Sequence, residues 1–209
     1  VPVDIVREAQ NALRSLKAEL RPFVVIRPPF SLTADDASKR RLIMRGDPLE
    51  IELLLLNVMK NAAEAVQGLP DGAVLVKFRR ETLPSPLAEN PSPSPAAPSA
   101  EAVIVEVEDN GPRLSDEAFE RLTRVSQSVK DEGLGLGLGI VRSLVEENGG
   151  RIAITRREDL SGRGLRVTLC FDLDAEGLKA QSAPHTDPAD KSAAQAFQRS
   201  HEPAVKTAK

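Results

Sequence analysis

A glycine at every second position from 133 to 139, leading directly into a helical pattern at 140–147, constrains this chain more than any other segment. Repeated glycines let a backbone approach a polyphosphate closely, and a helix that opens behind them offers free N–H groups and the positive end of its dipole. The segment lacks the Gly-Lys-Ser/Thr ending of a P-loop, and it does not follow a predicted strand as a dinucleotide fingerprint would. It therefore predicts a phosphate cradle, although a Gly/Leu alternation is also compatible with a plain flexible hinge.

Two asparagines mark one face of a long predicted helix. Asn57 and Asn61 are four residues apart, in line with Glu50 and Glu64, so all four lie on the same side of the helix. An Asn side-chain carbonyl is a suitable ligand for Mg²⁺, which keeps several waters and phosphate oxygens and needs few protein atoms. The alternative is an ordinary solvated helix face.

An acidic residue ends an otherwise apolar strand row. By the period of two, Asp109 falls on the same face as Val103, Val105 and Val107. A carboxylate in that position needs hydrogen-bond donors, and the exocyclic amine of an adenine would serve as one. The alternative is a simple turn, because Asp-Asn-Gly favours turns in any protein.

The remaining sequence alternates between helical and strand patterns. Three segments have apolar residues at helical spacing: residues 3–20, 47–67 and 140–147. Four segments alternate apolar and polar residues, as half-buried strands do: residues 74–79, 103–108, 151–157 and 165–173. This order predicts an α/β (α+β) two-layer sandwich, with three main helices packed on one face of a mixed, largely antiparallel sheet.

Two stretches interrupt the globular pattern. Residues 84–100 read PSPLAENPSPSPAAPSA, in which prolines remove backbone donors and little can be buried, so we interpret them as a flexible insertion between paired strands. From residue 174 the chain is rich in Ala, Ser, Lys and Pro and offers little apolar surface. The predicted organisation is one domain, residues 1–173, followed by a disordered tail, residues 174–209.

Composition excludes several classes of function. With 28 Lys and Arg against 31 Asp and Glu, and 3% aromatic residues, no charged or stacking surface for nucleic acid is expected. A single cysteine, Cys170, permits neither an internal disulfide nor a Cys-rich metal site, which fits a reducing cytoplasm. The longest aliphatic run, residues 53–56, is far shorter than the ~20 residues of a membrane span, so we expect no membrane contact by this chain.

In combination, these motifs resemble the C-terminal ATP-binding domain of two-component sensor histidine kinases. That domain belongs to the ATPase superfamily shared with gyrase and the mismatch-repair proteins. The resemblance covers residues 3–173 and includes RGDPLEIELLLLNVMKNAAEAV and GLGLGLGIVRSLVEENGGRI. It implies the family's α/β sandwich, in which ATP lies between the helices under a flexible lid.

The resemblance also implies roles for individual residues. Asn61 would be the Mg²⁺ ligand with Asn57 beside it, and Asp109 would accept the adenine amine. Lys130 matches the basic residue that commonly precedes the glycine box. The implied ATP-binding set is Asn57, Asn61, Glu64, Asp109, Gly111, Lys130, Gly133, Leu134, Gly135, Leu136, Gly137 and Leu138. The implied cofactors are ATP and Mg²⁺, and no residue is identified as catalytic.

The implied function is transfer of the ATP γ-phosphoryl group to a histidine on a dimerisation hairpin that this chain lacks. The hairpin would act in cis in a longer kinase or in trans, and a response regulator would be an indirect partner. Both histidines of the chain, His185 and His201, lie in the predicted tail. The implied location is the cytoplasm, which includes the cytoplasmic portion of a membrane-bound sensor.

Three departures from the family pattern leave alternatives open. Arg113 stands where a glycine is usual, residues 123–126 replace a Phe-x-Pro-Phe-like lid box, and Leu165 follows Gly164 where a threonine is usual. One alternative is a degenerate nucleotide-sensing or interaction module of the same fold. The other is a stand-alone serine kinase of the anti-sigma type.

Overall fold

The computed structural model describes residues 1–27, 41–83, 100–125, 136–157, 163–174 and 176. In chain order the elements are β1 (Pro2–Asp4), α1 (Ile5–Ser15), a 3₁₀ turn (Arg21–Phe23), β2 (Val24–Arg27), β3 (Ile43–Arg45), α2 (Pro48–Val66), β4 (Val74–Leu83), β5 (Ala100–Asp109), α3 (Asp116–Val125), α4 (Leu136–Glu147), β6 (Arg151–Arg156) and β7 (Leu165–Asp172).

The main sheet has five strands in the order β2-β4-β5-β7-β6. Strand β2 is parallel to β4, and each of the other neighbouring pairs is antiparallel. The predicted pairing of the two central strands is confirmed, with Val76 opposite Val107 and Phe78 opposite Val105. A separate two-stranded antiparallel sheet joins β1 to β3. The sheet is therefore mixed and largely antiparallel, as predicted.

The core lies between one face of this sheet and the helices α1, α2 and α4. Helix α2 is central, because it contacts both other helices as well as β4 and β5. The alternation predicted for the strands places their apolar residues on the covered face. The most deeply buried core residues include Ile51, Leu54, Leu55, Met59, Val76, Val105, Leu169 and Phe171. The predicted α/β sandwich with three main helices is confirmed, and α3 is a fourth helix.

Helix α2 begins where the sequence predicts. The side chain of Asp47 caps it by accepting hydrogen bonds from the backbone N–H groups of Leu49 (2.8 Å) and Glu50 (3.3 Å). Pro48 occupies the first turn, where its missing N–H has no cost. The helix ends at Val66, and Gly68 follows with a φ of +86°.

The first helix is shorter than predicted. Residues 3–20 were expected to be helical, but residues 2–4 pair with β3, and Asp4 then caps α1 by accepting from the N–H of Val6 at 3.2 Å. The helix ends at Ser15, and Leu16 and Leu20 are buried from a turn. Apolar spacing alone does not distinguish a helix from a turn at residues 16–20, because a compact turn can bury leucines four residues apart as a helix does.

The last predicted helix begins four residues earlier than residue 140. Helix α4 starts at Leu136, so Gly137 and Gly139 belong to its first turns and not to a loop. Their helical state overrides the low helix propensity of glycine. The reason at Gly137 is close packing against α2, which is described below.

The predicted insertion and tail fall largely outside the described residues, which exclude 84–99, 175 and 177–209. At the edges of these segments, Ala100 is the first residue of β5 and pairs with Leu83, while Asp174 is buried and donates its N–H to the carbonyl of Ile43 at 2.7 Å. The division into a domain at 1–173, an insertion and a tail at 174–209 stays a prediction.

Candidate functional site

A cavity of about 380 Å³ lies between α2, the start of α4 and one end of the sheet. Its walls are mostly apolar, and Asn61 and Asp109 contribute the polar side chains. The residues that line it are Val58, Asn61, Ala62, Ala65, Val107, Asp109, Leu114, Leu122, Gly137, Leu138, Ile154, Leu165 and Val167. A mostly apolar pocket with a few convergent polar groups is typical of a small-molecule site.

Asp109 ends β5 and is 7% exposed. Its Oδ1 accepts hydrogen bonds from the backbone N–H groups of Gly111 (2.8 Å) and Leu165 (3.3 Å), and its backbone carbonyl accepts one from Arg157 Nη1 (3.2 Å). Burial raises the pKa of Asp109 above its ordinary value, and this effect outweighs the two backbone donors and the nearby Arg157 charge. No described group donates to Oδ2, which leaves that oxygen as an acceptor for a ligand in the cavity.

The neighbour of Asp109 on the strand, Glu108, points to the opposite face of the sheet. Its carboxylate bridges Lys77 Nζ on β4 and Arg166 Nε on β7, each at 2.8 Å. Burial raises the pKa of Glu108, but the hydrogen bonds and charges of Lys77 and Arg166 outweigh it, so the pKa lies below its ordinary value. This cross-strand triad ties β4, β5 and β7 together directly behind the site.

Two glycines let the backbone pass close to Asp109. A Cβ on Gly111 would lie 2.8 Å from Asp109 Oδ1 and 3.3 Å from the carbonyl oxygen of Ala65. Gly164 has a φ of +83°, and a Cβ there would overlap the carbonyl oxygen of Asp109. A side chain at Gly164 would collide with backbone, and one at Gly111 would force the Asp109 carboxylate to shift, so both glycines help to fix the orientation of the acid.

Asn61 and Gly137 meet where α2 crosses the start of α4. A Cβ on Gly137 would lie 2.9 Å from Asn61 Nδ2 and 3.1 Å from Asn61 Oδ1. The missing side chain therefore keeps the amide of Asn61, which lines the cavity, uncovered beside the first turn of α4. The glycine run thus contributes close approach between two helices at this point.

The structure brings together several of the sequence-predicted site residues and separates others. Asn61, Asp109, Gly137 and Leu138 line the cavity, and Gly111 abuts it through Asp109. Leu136 is the first residue of α4. Lys130, Gly133, Leu134 and Gly135 lie outside the described residues.

Asn57 and Glu64 do not line the cavity. Asn57 lies one turn before Asn61 and donates its Nδ2 to the carbonyl of Leu53 at 2.8 Å. Glu64 is exposed, 3.7 Å from Lys60 Nζ on the same helix. Residues that share one face of α2 therefore do not all reach the cavity, because this face is wider than the part of it that lines the cavity.

Sequence reasoning missed α3 and therefore missed one wall of the cavity, to which this helix contributes Leu122. The helix is attached to β6 by Arg156, whose Nη2 lies 2.7 Å from Asp116 Oδ1 and whose guanidinium lies 4.6 Å from the centre of the Phe119 ring. A start signal was present, since Ser115 precedes two acidic residues and its Oγ accepts from the N–H of Ala118 at 3.2 Å.

Two of the three departures from the family pattern, Arg113 and Leu165, leave the pocket open, and the third, residues 123–126, lies partly outside the described residues. The side chain of Arg113 is exposed and does not line the cavity, so it does not fill the entrance as a pocket residue would. Leu165 lines the wall and gives its backbone N–H to Asp109. The pocket therefore offers an apolar methyl surface at this position.

Within the described part of the chain, no three His, Cys, Asp or Glu side chains gather into a potential metal cluster. A Mg²⁺ ion carried in by a polyphosphate would still fit, because the uncovered amide of Asn61 supplies a hard oxygen ligand and the ion keeps its other ligands from water and phosphate. Among the helices that the structure describes, none is long and apolar enough to cross a bilayer.

The fold and the cavity together define a two-layer α/β domain with its ligand pocket between the helical layer and the end of the sheet. The chain belongs to the histidine kinase-, DNA gyrase B- and HSP90-like ATPase family, which it matches over residues 46–175. That match covers more than half of the chain and includes every residue that lines the cavity.

Similar curated proteins include a nitrogen regulation protein and a sensory histidine kinase. The chain is 30% identical over 142 residues to the nitrogen regulation protein NtrY of Azorhizobium caulinodans, a match covering 66% of this chain and 16% of NtrY. It is 32% identical over 109 residues to the sensory histidine kinase/phosphatase NtrB of Klebsiella oxytoca, covering 52% of this chain and 29% of NtrB. The chain thus spans less than a third of each of these relatives.

Solved structures show the same fold. The mycobacterial sensor histidine kinase MprB superposes with a TM-score of 0.58 at 18% identity, covering 83% of this chain and 97% of that one. The catalytic domain of histidine kinase ThkA gives a TM-score of 0.56 at 19% identity, covering 83% and 95%. The predicted sandwich is confirmed by both.

Proposed function

We propose that the cavity binds ATP with Mg²⁺ and that the chain is the ATP-binding catalytic domain of a sensor histidine kinase, acting in the cytoplasm. The single observation that carries the proposal is Asp109, a buried carboxylate at the end of an apolar pocket with one oxygen to which no described group donates. The name of NtrB, a sensory histidine kinase/phosphatase, points to the same activity. A response regulator would be the indirect partner.

The Asp109 end of the cavity suits an adenine base. Its walls are apolar, with Ile154, Leu165 and Val167 contributed by the terminal hairpin. A purine would bury its faces against them while its exocyclic amine donates to Asp109 Oδ2. Guanine has a carbonyl oxygen in place of the exocyclic amine of adenine. That oxygen would face the Asp109 carboxylate, which accepts hydrogen bonds and does not donate them, so the pocket favours adenine over guanine.

The Asn61 end suits the phosphates. Helix α4 begins beside Asn61, and the N–H groups of its first turn have no partner within the helix. These groups and the helix dipole favour an anion at this point. The predicted contributions of Lys130 and of Gly133 to Gly135, which lie outside the described residues, stay part of the proposal.

The chemistry that we propose is mostly positioning. Asp109 orients the base, and the α4 start and Asn61 hold the polyphosphate so that its γ-phosphoryl group can be presented to a histidine on a dimerisation hairpin. Bound Mg²⁺ would supply neutralisation of phosphate charge. The attacking imidazole is itself the nucleophile, so the domain needs no general base.

Phosphoryl transfer to a supplied hairpin tests this proposal. We expect the purified chain with Mg²⁺ and radiolabelled ATP to label a cognate His-bearing dimerisation hairpin in trans. We expect no stable label on the chain itself, since neither His185 nor His201 lies in the region that forms the pocket. The measurement is acid-labile label on the hairpin, and a hairpin with its histidine replaced by glutamine is the control.

The other outcomes select the alternatives. ATP binding without any labelling of the cognate hairpin would favour the nucleotide-sensing module. Acid-stable phosphoserine on an added partner protein would favour the serine kinase. Both results would contradict histidine transfer while leaving the ATP site in place.

Removing the Asn61 amide is expected to weaken Mg²⁺-dependent binding. With Mg²⁺ present, Asn61→Ala should lower ATP affinity by about 10-fold, because the proposed ligand oxygen is lost. Without Mg²⁺ the two proteins should bind ATP similarly. Calorimetry with and without Mg²⁺ measures the difference.

Asn57→Ala is the matched control for this variant, since it removes the same side chain one turn earlier on α2, outside the cavity. We expect its effect on affinity to be smaller than about 2-fold. An Asn61→Ala protein with unchanged Mg²⁺ dependence would show that this face of α2 does not hold the metal.

A further inference from the structure

Asn148 lies just after the last residue of α4 and joins that helix to the start of α2. Its Nδ2 donates to Glu50 Oε2 at 2.9 Å and to the carbonyl of Leu144 at 2.8 Å. Its Oδ1 accepts from the backbone N–H of Asp47 at 2.9 Å. One side chain therefore bonds to the end of its own helix and to two points of the first turn of α2.

The surroundings fix Asn148 in this position. Gly149, with a φ of +69°, and Gly150 end the helix, and the N–H of Gly150 donates to the carbonyl of Val145 at 2.8 Å. A Cβ on Gly150 would overlap the ring of Phe171, and one on Gly46 would lie 2.5 Å from Asn148 Oδ1. The close approach of Gly46 leaves the amide little room to move on that side, and the close approach of Gly150 to Phe171 fixes the chain that follows Asn148.

The contact at Asn148 is matched by the contact at the pocket. Helices α2 and α4 run antiparallel, with Glu50 against Asn148 at one end and Asn61 against Gly137 at the other. Eleven residues separate Glu50 from Asn61, and eleven separate Gly137 from Asn148. At 1.5 Å per residue, both helices span about 16 Å between the two contacts, so the two contacts are in register.

We propose that Asn148 is a positioning residue for the polyphosphate end of the pocket. By holding the end of α4 against the first turn of α2, it sets the register of the two helices and so the spacing between Asn61 and the first turn of α4. This inference rests on the proposed function, in which those two groups face the phosphates. Asn148 itself touches no ligand.

The adenine end does not depend on this register. Asp109 is held by the backbone N–H groups of Gly111 and Leu165. The walls of the cavity beside it come from the sheet and from the second half of α2. Release of the α4 end would therefore disturb phosphate binding and leave base binding unchanged. A general loss of stability would weaken both.

Comparison of two ligands tests the inference. We expect Asn148→Ala to weaken Mg²⁺-ATP binding by about 10-fold, as misplaced supporting groups do, and to change adenosine affinity by less than about 2-fold. NMR titration measures both dissociation constants on the same protein. Asn11→Ala is the matched control, because Asn11 also donates from a helix to a glutamate, Glu8, at 2.8 Å, but lies on α1 away from the pocket.

Glu50→Ala provides a second variant that leaves the end of α4 intact. It removes one of the two bonds to α2, so it should weaken Mg²⁺-ATP binding in the same direction by a smaller factor, and it should add little to Asn148→Ala in the double variant. If Asn148→Ala folds poorly, the loss of Mg²⁺-ATP affinity in Glu50→Ala alone still tests the register contact.

Two results would overturn the inference. One is unchanged Mg²⁺-ATP affinity in Asn148→Ala and Glu50→Ala, and the other is an equal loss of adenosine and ATP affinity. Failure of the wild-type protein to bind either ligand would instead overturn the proposed function, so the two failures are distinguishable.

Discussion

Gly164→Ala is expected to lower the free energy of unfolding by about 3 kcal/mol or more. The residue has a φ of +83°, which an L side chain rarely adopts, and a Cβ there would overlap the carbonyl oxygen of Asp109. That oxygen belongs to the backbone and also accepts from Arg157, so it cannot move aside cheaply. Urea unfolding followed by circular dichroism measures the loss.

Gly68→Ala separates the two causes of this loss. Gly68 has nearly the same φ, +86°, but no atom lies within 4 Å of a Cβ placed on it. Gly68→Ala should therefore lower the free energy of unfolding by only about 1 kcal/mol, the cost of the strained backbone conformation alone. Equal losses in the two variants would show that the strand end at Asp109 relaxes to admit a methyl group.

Asp109→Asn is expected to weaken ATP binding by roughly 10- to 100-fold, the equivalent of one hydrogen bond to a charged group. The Asn Oδ1 can still accept from Gly111 and Leu165, as the acid does now. Its amide nitrogen would then occupy the place of the free oxygen and present a donor to the adenine amine. Calorimetry measures the affinity.

Asp172→Asn makes the same charge change at an exposed position at the end of β7, outside the cavity, and should leave ATP affinity unchanged. Phosphoryl transfer to the hairpin should fall in parallel with binding in Asp109→Asn. An Asp109→Asn protein that retains wild-type affinity would rule out Asp109 as the base-recognition group.

Asp109→Asn should not lower the free energy of unfolding. Because burial raises the folded-state pKa of Asp109, its contribution to stability is fully present below the ordinary Asp pKa of about 3.9 and is lost as the pH rises through the folded-state value. Asp109→Asn has no such loss. Its free energy of unfolding relative to the wild type should therefore increase with pH across that window and then stay level.

Much of the fold could be predicted because its signals are local. The cap at Asp47 and the alternation in β4 and β5 each depend on residues close in sequence, and both were found. The short strands β1, β2 and β3 could not be found in this way. Three or four residues contain too little periodicity, and their pairing is decided by distant partners.

The site was predictable in part for the same reason. The strand period correctly places Asp109 at the end of a buried row, and the position of Asn61 follows from the helix. The groups that hold Asp109 could not be foreseen. Leu165 reaches it because β7 pairs with β5, and Arg157, just after β6, reaches it because β6 pairs with β7 in turn; both pairings are set by topology and not by spacing.

The pairing of β4 with β5 has a consequence for the evolution of the chain. The described ladder runs without a break to Leu83 opposite Ala100, so these two residues face each other directly. Closing a flexible loop between two such points costs only about 0.6 kcal/mol more for each doubling of its length. Segments of very different length and composition can therefore evolve between Leu83 and Ala100. Such changes need not disturb the register that places Asp109 at the other end of the same strand.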